Sequence, residues 1–163
     1  MIRVAILTVS DSCAQGKRED VSGQTIKDML AENGFEICEK RIVADNHKTI
    51  ADELKFLSDK AGLNLIFTTG GTGLGPRDVT PEATMSVCER MVPGLGEMMR
   101  TEGFKKAPNA ILSRAVAGIR KNTLIINLPG SPKGVKESLE IILDVLPHAV
   151  DMTHGGGHAD LCF

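Results

Sequence analysis

Residues 68–84 read TTGGTGLGPRDVTPEAT, and no other stretch so narrows the folds open to this chain. A largely apolar run, Leu63 to Phe67, feeds into it. Thr80-Pro81 closes it, an N-cap residue followed by proline at the first helical position. Strand, glycine-dense loop and helix in series are the unit from which parallel α/β sheets are built. Gly70, Gly71, Gly73 and Gly75 let backbone N–H groups turn inward toward an anion, because no Cβ blocks close approach. A nest of that kind beside a helix N-terminus is a candidate phosphate site. The glycines alone would equally suit a flexible connection. Arg77 and Asp78 inside the loop are charges that a connector does not need. No Gly-Lys-Ser/Thr follows the glycines, which excludes a P-loop, and the spacing is not GxGxxG.

The rest of the chain repeats the same alternation. Ile2 to Val9 is an apolar, β-branched run suited to a strand buried on both faces, and Ser10-Asp11-Ser12 opens a polar loop reaching about Gly23. Ile26, Met29 and Leu30 predict a helix over Thr25–Asn33, ended by Gly34. Phe35 to Val43 reads as a second strand with Asp45-Asn46 beyond it, and Ile50, Leu54, Leu57 and Ala61 place one apolar face on a helix over Thr49–Ala61. Helices follow over Thr80–Arg90 and Leu95–Phe104, split by Pro93-Gly94, while Pro108 to Ser113 is ambiguous. Val116–Arg120 and Leu124–Leu128 are strand-like and close enough to form a hairpin, which would make the sheet mixed. Leu128-Pro129-Gly130-Ser131-Pro132 then leads into a helix with Val135, Leu139, Ile142, Leu143 and Leu146 at core spacing, and Pro147–Thr153 ends the pattern as a short helix. The expectation is a three-layer α/β/α sandwich on a mostly parallel, mixed sheet. At 163 residues it forms a single domain, residues 1–163.

Composition removes several classes of partner. The net charge is −2, and the chain has no Trp, no Tyr and five Phe. That leaves neither a basic footprint nor a stacking platform for nucleic acid. Four scattered cysteines without a CxxC pair argue against a zinc site or disulfide framework, and thus for reduced thiols in a cytoplasm. No signal-like or membrane-spanning apolar run is present. His154 to His158, interrupted by three glycines, fits a mobile tail better than a metal site, since nothing preorganises the ligands.

The loops after the four parallel strands hold Ser10, Asp11, Ser12, Asp45, Gly70, Gly71, Thr72, Gly73, Arg77, Asp78 and Ser131. Ligands of parallel α/β sheets gather at those carboxyl ends. Each of these residues also has a purely local use: serine and aspartate form turns, and Ser131 is a natural N-cap. No motif marks Cys13 or His47 as nucleophile or base, so acyl transfer is disfavoured. The inventory suits phosphate chemistry, in which backbone donors and small hydroxyls hold oxygens while carboxylates hold Mg²⁺ or orient a nucleophile.

TTGGTG followed by PRD and TPEAT, with SDS at Ser10–Ser12, VADN around Asp45 and NLPGSP at Asn127–Pro132, resembles the MogA/MoaB family of molybdenum-cofactor biosynthesis proteins. These patches cover nearly the whole chain. The resemblance implies a three-layer domain that binds molybdopterin and, in catalytic members, transfers AMP from Mg-ATP to the molybdopterin phosphate with release of pyrophosphate. It implies that Asp45 serves as the metal ligand on the nucleotide side, and that Asp78 belongs to the pterin side. Gly70, Gly71, Thr72 and Gly73 would wrap phosphate, with Ser131 near ligand. Arg77 would take phosphate charge, and Ser10, Asp11 and Ser12 would form a further wall. It also implies a homotrimer or hexamer, consistent with the Met-rich segment Met91–Met99, and the molybdate-inserting enzyme of the same pathway as a partner. The alternative is a MoaB-type scaffold with the same pocket that binds without catalysing, which these residues do not separate from the catalytic form. The molybdate-inserting enzyme itself needs further domains, and a general nucleotide phosphohydrolase would use the same loops without a pterin.

Overall fold

In a computed structural model, residues 1–59 and 62–156 are described. Six strands, β1 (Arg3–Val9), β2 (Glu36–Val43), β3 (Leu65–Thr69), β4 (Arg90–Met91), β5 (Ala117–Arg120) and β6 (Thr123–Leu128), form one sheet in the order β2-β1-β3-β6-β5-β4. The helices are α1 (Asp11–Ala14), α2 (Val21–Glu32), α3 (His47–Asp59), α4 (Thr80–Val87), α5 (Pro93–Lys106), α6 (Pro132–Ile142) and α7 (Leu146–Thr153), with 3₁₀ turns at Pro108–Leu112 and Leu143–Val145. The first four strands of the sheet run parallel; β5 and β4 are antiparallel additions. The sheet is therefore mixed, as the hairpin pattern predicts. Lys121-Asn122 makes its two-residue turn, with Lys121 at φ 51°.

Strand alternation sorts the core into two layers. Val4, Ile6, Leu65 and Phe67 face α2, α5 and α6, where they meet Ile26, Leu30, Met99 and Leu139. Ala5, Leu7 and Ile66 face the other way, onto Ile50, Leu54 and Leu57 of α3 and Val87 of α4. Each of the fully buried Ile and Leu side chains among them contributes about 2 kcal/mol of transfer free energy. Both faces of β1, β3 and β6 are covered, which is why their sequences are continuous apolar runs.

Several boundaries differ from the sequence expectation. α2 begins four residues early because Asp20, inside the expected polar loop, caps it by accepting from the Gly23 amide at 2.9 Å. α1 is a turn of helix capped by Ser10, too short to leave a periodic signal. α4 ends at Val87, since Arg90–Met91 pairs with β5 instead. The expected end of α3 at Ala61, and the tail from residue 157 that includes His158, lie outside the described residues. Among the described residues no helix is long and apolar enough to cross a membrane.

Beneath the site lies a polar knot. Asn127, Thr68 and Thr84 are all fully buried. The Asn127 amide nitrogen donates to both hydroxyls at 2.9 Å, and its oxygen accepts from the Val116 amide at 3.3 Å. This fastens β6, β3 and α4 together one turn below the glycine loop.

Candidate active site

The carboxyl ends of β1, β2, β3 and β6 deliver Ser10, Asp45, Gly70 and Pro129-Gly130-Ser131 to one edge of the sheet. At Gly70 (φ 98°) a Cβ would sit 2.2 Å from the Val9 carbonyl oxygen, and at Gly71 (φ 67°) 2.3 Å from Thr80 Oγ1. The loop can thus press against β1 and α4 only because these two positions lack side chains.

Thr80 is not the N-cap that its sequence position predicts. It is the first residue of α4; its hydroxyl donates to the Gly70 carbonyl at 2.9 Å and its amide to that of Gly71 at 3.1 Å. The start of α4 is therefore closed by the loop's own carbonyls. The helix start at the edge of the cavity is that of α6, where Ser131 accepts from the Gly134 amide at 3.1 Å.

Two chambers open on either side of this loop. The larger, about 570 Å³, is bounded by Thr72, Gly73 and Asp78 on one side and by residues of α5 and α6 such as Met99 and Lys133 on the other. The smaller, about 390 Å³, is walled by Ser10, Asp20, Asp45, Gly70 and Arg18. Gly71, Asp78, Gly130 and Ser131 border both.

Asp45, which lines the smaller chamber, is laced to Asp11, which lines neither. The Asp11 amide donates to Asp45 Oδ2 at 2.9 Å, and the Asp45 amide donates to Asp11 Oδ1 at 3.0 Å. Arg77 crosses to them: its Nε donates to Asp11 Oδ2 at 2.9 Å and its Nη2 to the Asp45 carbonyl at 3.4 Å. The sequence reading gives Arg77 to phosphate; the structure has it holding two loops together through Asp11. The Asp45 amide, then Arg77, hold the Asp11 carboxyl below its ordinary range. Asp45 is shifted upward, first by burial and then by the neighbouring charges of Asp11 and Asp78. Asp45 Oδ1 accepts no hydrogen bond from the described residues and faces Gly71.

Asp78 sits where the chambers meet. Its Oδ2 accepts from the Gly75 amide at 3.0 Å, and a Cβ on either Gly73 or Gly75 would lie 2.9 Å from that same oxygen. The carboxylate is thus packed between two glycines, and the bare backbone there makes room for Asp78 itself.

Among the described residues no three His, Cys, Asp or Glu side chains converge as a metal cage. Asp45 has one free carboxylate oxygen, which fits a hard cation that arrives carrying phosphate ligands and keeps its waters. Burial pushes the Cys88 thiol up to about 11, which disfavours its thiolate, and Cys88 lines neither chamber.

Of the expected residues, Ser10, Asp45, Gly70, Gly71, Asp78 and Ser131 line the smaller chamber, while Thr72 and Gly73 line only the larger. Ser12 lies behind them, its hydroxyl 3.1 Å from that of Ser10. Two features escape the sequence reading. Asp20, buried at the floor of the smaller chamber, accepts from the Thr8 hydroxyl at 2.9 Å and pairs with Lys40 at 3.1 Å. Its position three residues before Gly23 is an N-cap signal that could have revealed it. The α5 and α6 wall of the larger chamber, including Lys133, has no local signal at all, because tertiary packing alone brings it to the loop.

The family model described as "Probable molybdopterin binding domain" matches residues 5–148. The chain is 45% identical over 157 residues to the molybdopterin adenylyltransferase of Helicobacter pylori strain J99, covering 94% of this chain and 89% of that protein. The molybdopterin adenylyltransferase of Escherichia coli K12 is 40% identical, with 94% and 79% covered. The crystal structure of the molybdopterin biosynthesis enzyme MoaB from Thermus thermophilus superposes with a TM-score of 0.90 at 52% identity, over 96% of this chain and 98% of that one. Matched by that family model over residues 5–148 and by these relatives along most of its length, the chain belongs to the molybdopterin-binding domain family of molybdenum-cofactor biosynthesis.

Proposed function

We propose that this protein is a molybdopterin adenylyltransferase, one domain spanning residues 1–163 that transfers AMP from ATP to the molybdopterin phosphate and releases pyrophosphate. The observation that carries the assignment of roles is the pair of chambers meeting at Gly71, Asp78, Gly130 and Ser131. An adenylyl transfer needs two anionic substrates brought end to end, and a shared wall of small residues is where their phosphates would meet. In this assignment the smaller chamber takes the nucleotide and the larger, more apolar one takes the pterin.

Asp45 belongs to the nucleotide chamber. Its Oδ1 is free to ligate Mg²⁺ brought with the nucleotide, while Oδ2 is fixed by the Asp11 amide. A bound Mg²⁺ would neutralise charge developing on the polyphosphate. Arg77 and Asp11 hold the Asp45 backbone, so the carboxylate is oriented before substrate arrives. Asp78 accepts from donors on the pterin edge, and Gly71, Thr72 and Gly73 approach the phosphates with their backbone N–H groups, while Gly70, whose amide donates to the Leu128 carbonyl at 3.4 Å, wraps them by close backbone approach. Ser131 lies at the join, with Ser10 on the wall of the nucleotide side and Ser12 behind it.

The described cysteines, Cys13, Cys38 and Cys88, are free thiols, which suits a cytoplasmic setting. Association into a homotrimer or hexamer, and delivery of product to the molybdate-inserting enzyme, belong to the same proposal. Incubation with molybdopterin, ATP and Mg²⁺ tests it. Adenylylated pterin with stoichiometric pyrophosphate is the expected result. Pterin binding without product would make the protein a MoaB-type binder, and ATP loss without pterin would make it a phosphohydrolase.

A further inference from the structure

Arg114 lines neither chamber, yet it makes three bonds to the wall of the larger one and a fourth to α4 behind it. Its own amide donates to the Thr72 carbonyl at 2.8 Å. Its Nε donates to the Gly73 carbonyl at 2.8 Å and its Nη2 to the Asp78 carbonyl at 2.6 Å. The remaining nitrogen, Nη1, pairs with Glu82 in the first turn of α4. Its neighbours Ser113 and Ala115 both face the larger chamber.

Between Thr72 and Asp78 the loop is exposed, from Leu74 through Arg77. Its outer limb is held toward β1 by Arg77 on Asp11. Arg114 grips both of its feet. Two carbonyls and a carboxylate at fixed spacing match the planar fork of a guanidinium, which a single ammonium cannot reproduce. Fixing the carbonyls of Gly73 and Asp78 fixes the peptide planes that launch the Asp78 side chain, whose Oδ2 has glycine on either side.

We propose that Arg114 is a positioning residue for the pterin chamber: it holds Gly73 and Asp78 in the geometry that receives the ligand without touching the ligand itself. This rests on the assignment of the larger chamber to pterin. Arg114→Lys keeps the charge and the reach to Glu82 but loses the fork. Steady-state kinetics of Arg114→Lys, Glu82→Gln and Asp78→Ala, each with its melting temperature, form the test. Arg114→Lys should raise the pterin KM roughly tenfold, the loss of charge-assisted bonds to two carbonyls, with the ATP KM within about twofold of wild type. Glu82→Gln, which removes the ion pair and leaves the carbonyl contacts, should raise the pterin KM far less.

Equal rises in both KM values, a Glu82→Gln effect matching that of Arg114→Lys, or an unchanged pterin KM in Arg114→Lys beside a raised one in Asp78→Ala would each overturn the role of Arg114. An Asp78→Ala variant with normal pterin KM would overturn the chamber assignment, and the proposal with it.

Discussion

Asp11 and Asp45 exchange amide-to-carboxylate hydrogen bonds of 2.9 and 3.0 Å across the ends of β1 and β2, so each aspartate fixes the backbone of the other. The pairing gives the two carboxyls opposite fates. Asp11 takes the Asp45 amide and then the Arg77 guanidinium and is held low, while Asp45 is dominated by burial, with like charge adding to it, and is pushed high. The group that the proposed chemistry uses is the one the fold makes costly to ionise.

Asp45→Asn separates function from stability. Turnover should fall about 100-fold or more, with pterin affinity unchanged, because the lost charge acts on the nucleotide side in the transition state. A carboxyl whose folded pKa is raised favours the protonated native state. Its contribution to stability is full below the unfolded value of ~3.9 and is lost as pH rises through the folded one. At neutral pH the neutral amide should therefore melt higher than wild type, and the difference should close as the pH approaches about 4. Thermal melts at both pH values without metal check the sign; a lower melting temperature for Asp45→Asn at neutral pH would contradict it.

Gly73 and Asp78 should behave as one unit. A Cβ at Gly73 enters the space of Asp78 Oδ2, so Gly73→Val acts by displacing that carboxylate as well as by blocking backbone approach. Calorimetric titration should show pterin binding lost in Gly73→Val, and weakened more than ATP binding in Asp78→Ala. In a double-mutant cycle with Gly73→Ala the two effects should fall well short of adding. Additive losses would mean that the two residues act separately.

Association should bury the outer face of α5 and its edge strand. Met91 is 40% exposed, and Met98 and Phe104 are 50% exposed, although Met99 one residue away is packed in the core. Light scattering at micromolar concentration is expected to give a trimer or hexamer mass. Met98→Glu should lower it, and a monomeric wild type would remove the oligomer from the proposal.

Asn127→Ala should cost about 3 kcal/mol in denaturant unfolding, because it strands the buried hydroxyls of Thr68 and Thr84 and opens a small void. A loss below about 1 kcal/mol would show that the three groups find other partners.

Strands and ligand loops were legible because their signals are local. Continuous apolar runs mark doubly covered strands, and the glycines of TTGGTG mark a loop needing positive φ. Where tertiary contacts decide, the sequence misleads. Thr80 looks like an N-cap, yet its hydroxyl and amide close onto Gly70 and Gly71. Arg77 has a partner that no local signal announces, Asp11, distant in sequence. β4 is two residues held by pairing with β5, with no intrinsic pattern to announce it. Arg114 stands in an SRA segment that carries no motif, and only the folded chain brings it to the loop.

The order of the sheet carries one more consequence. β1, β3 and β6 are neighbours, so the loops at Ser10, Gly70 and Pro129 leave the sheet at intervals of about 4.8 Å, the spacing of hydrogen-bonded strands. The joint between the chambers thus takes its gauge from backbone pairing, which no side-chain replacement can stretch. The opposite wall of the larger chamber, built by α5, the 3₁₀ turn at Pro108–Leu112 and α6, is not pinned in this way. Variants selected to accept a bulkier pterin should accumulate their changes on that wall, while the loops at the proposed meeting of the phosphates keep their separation.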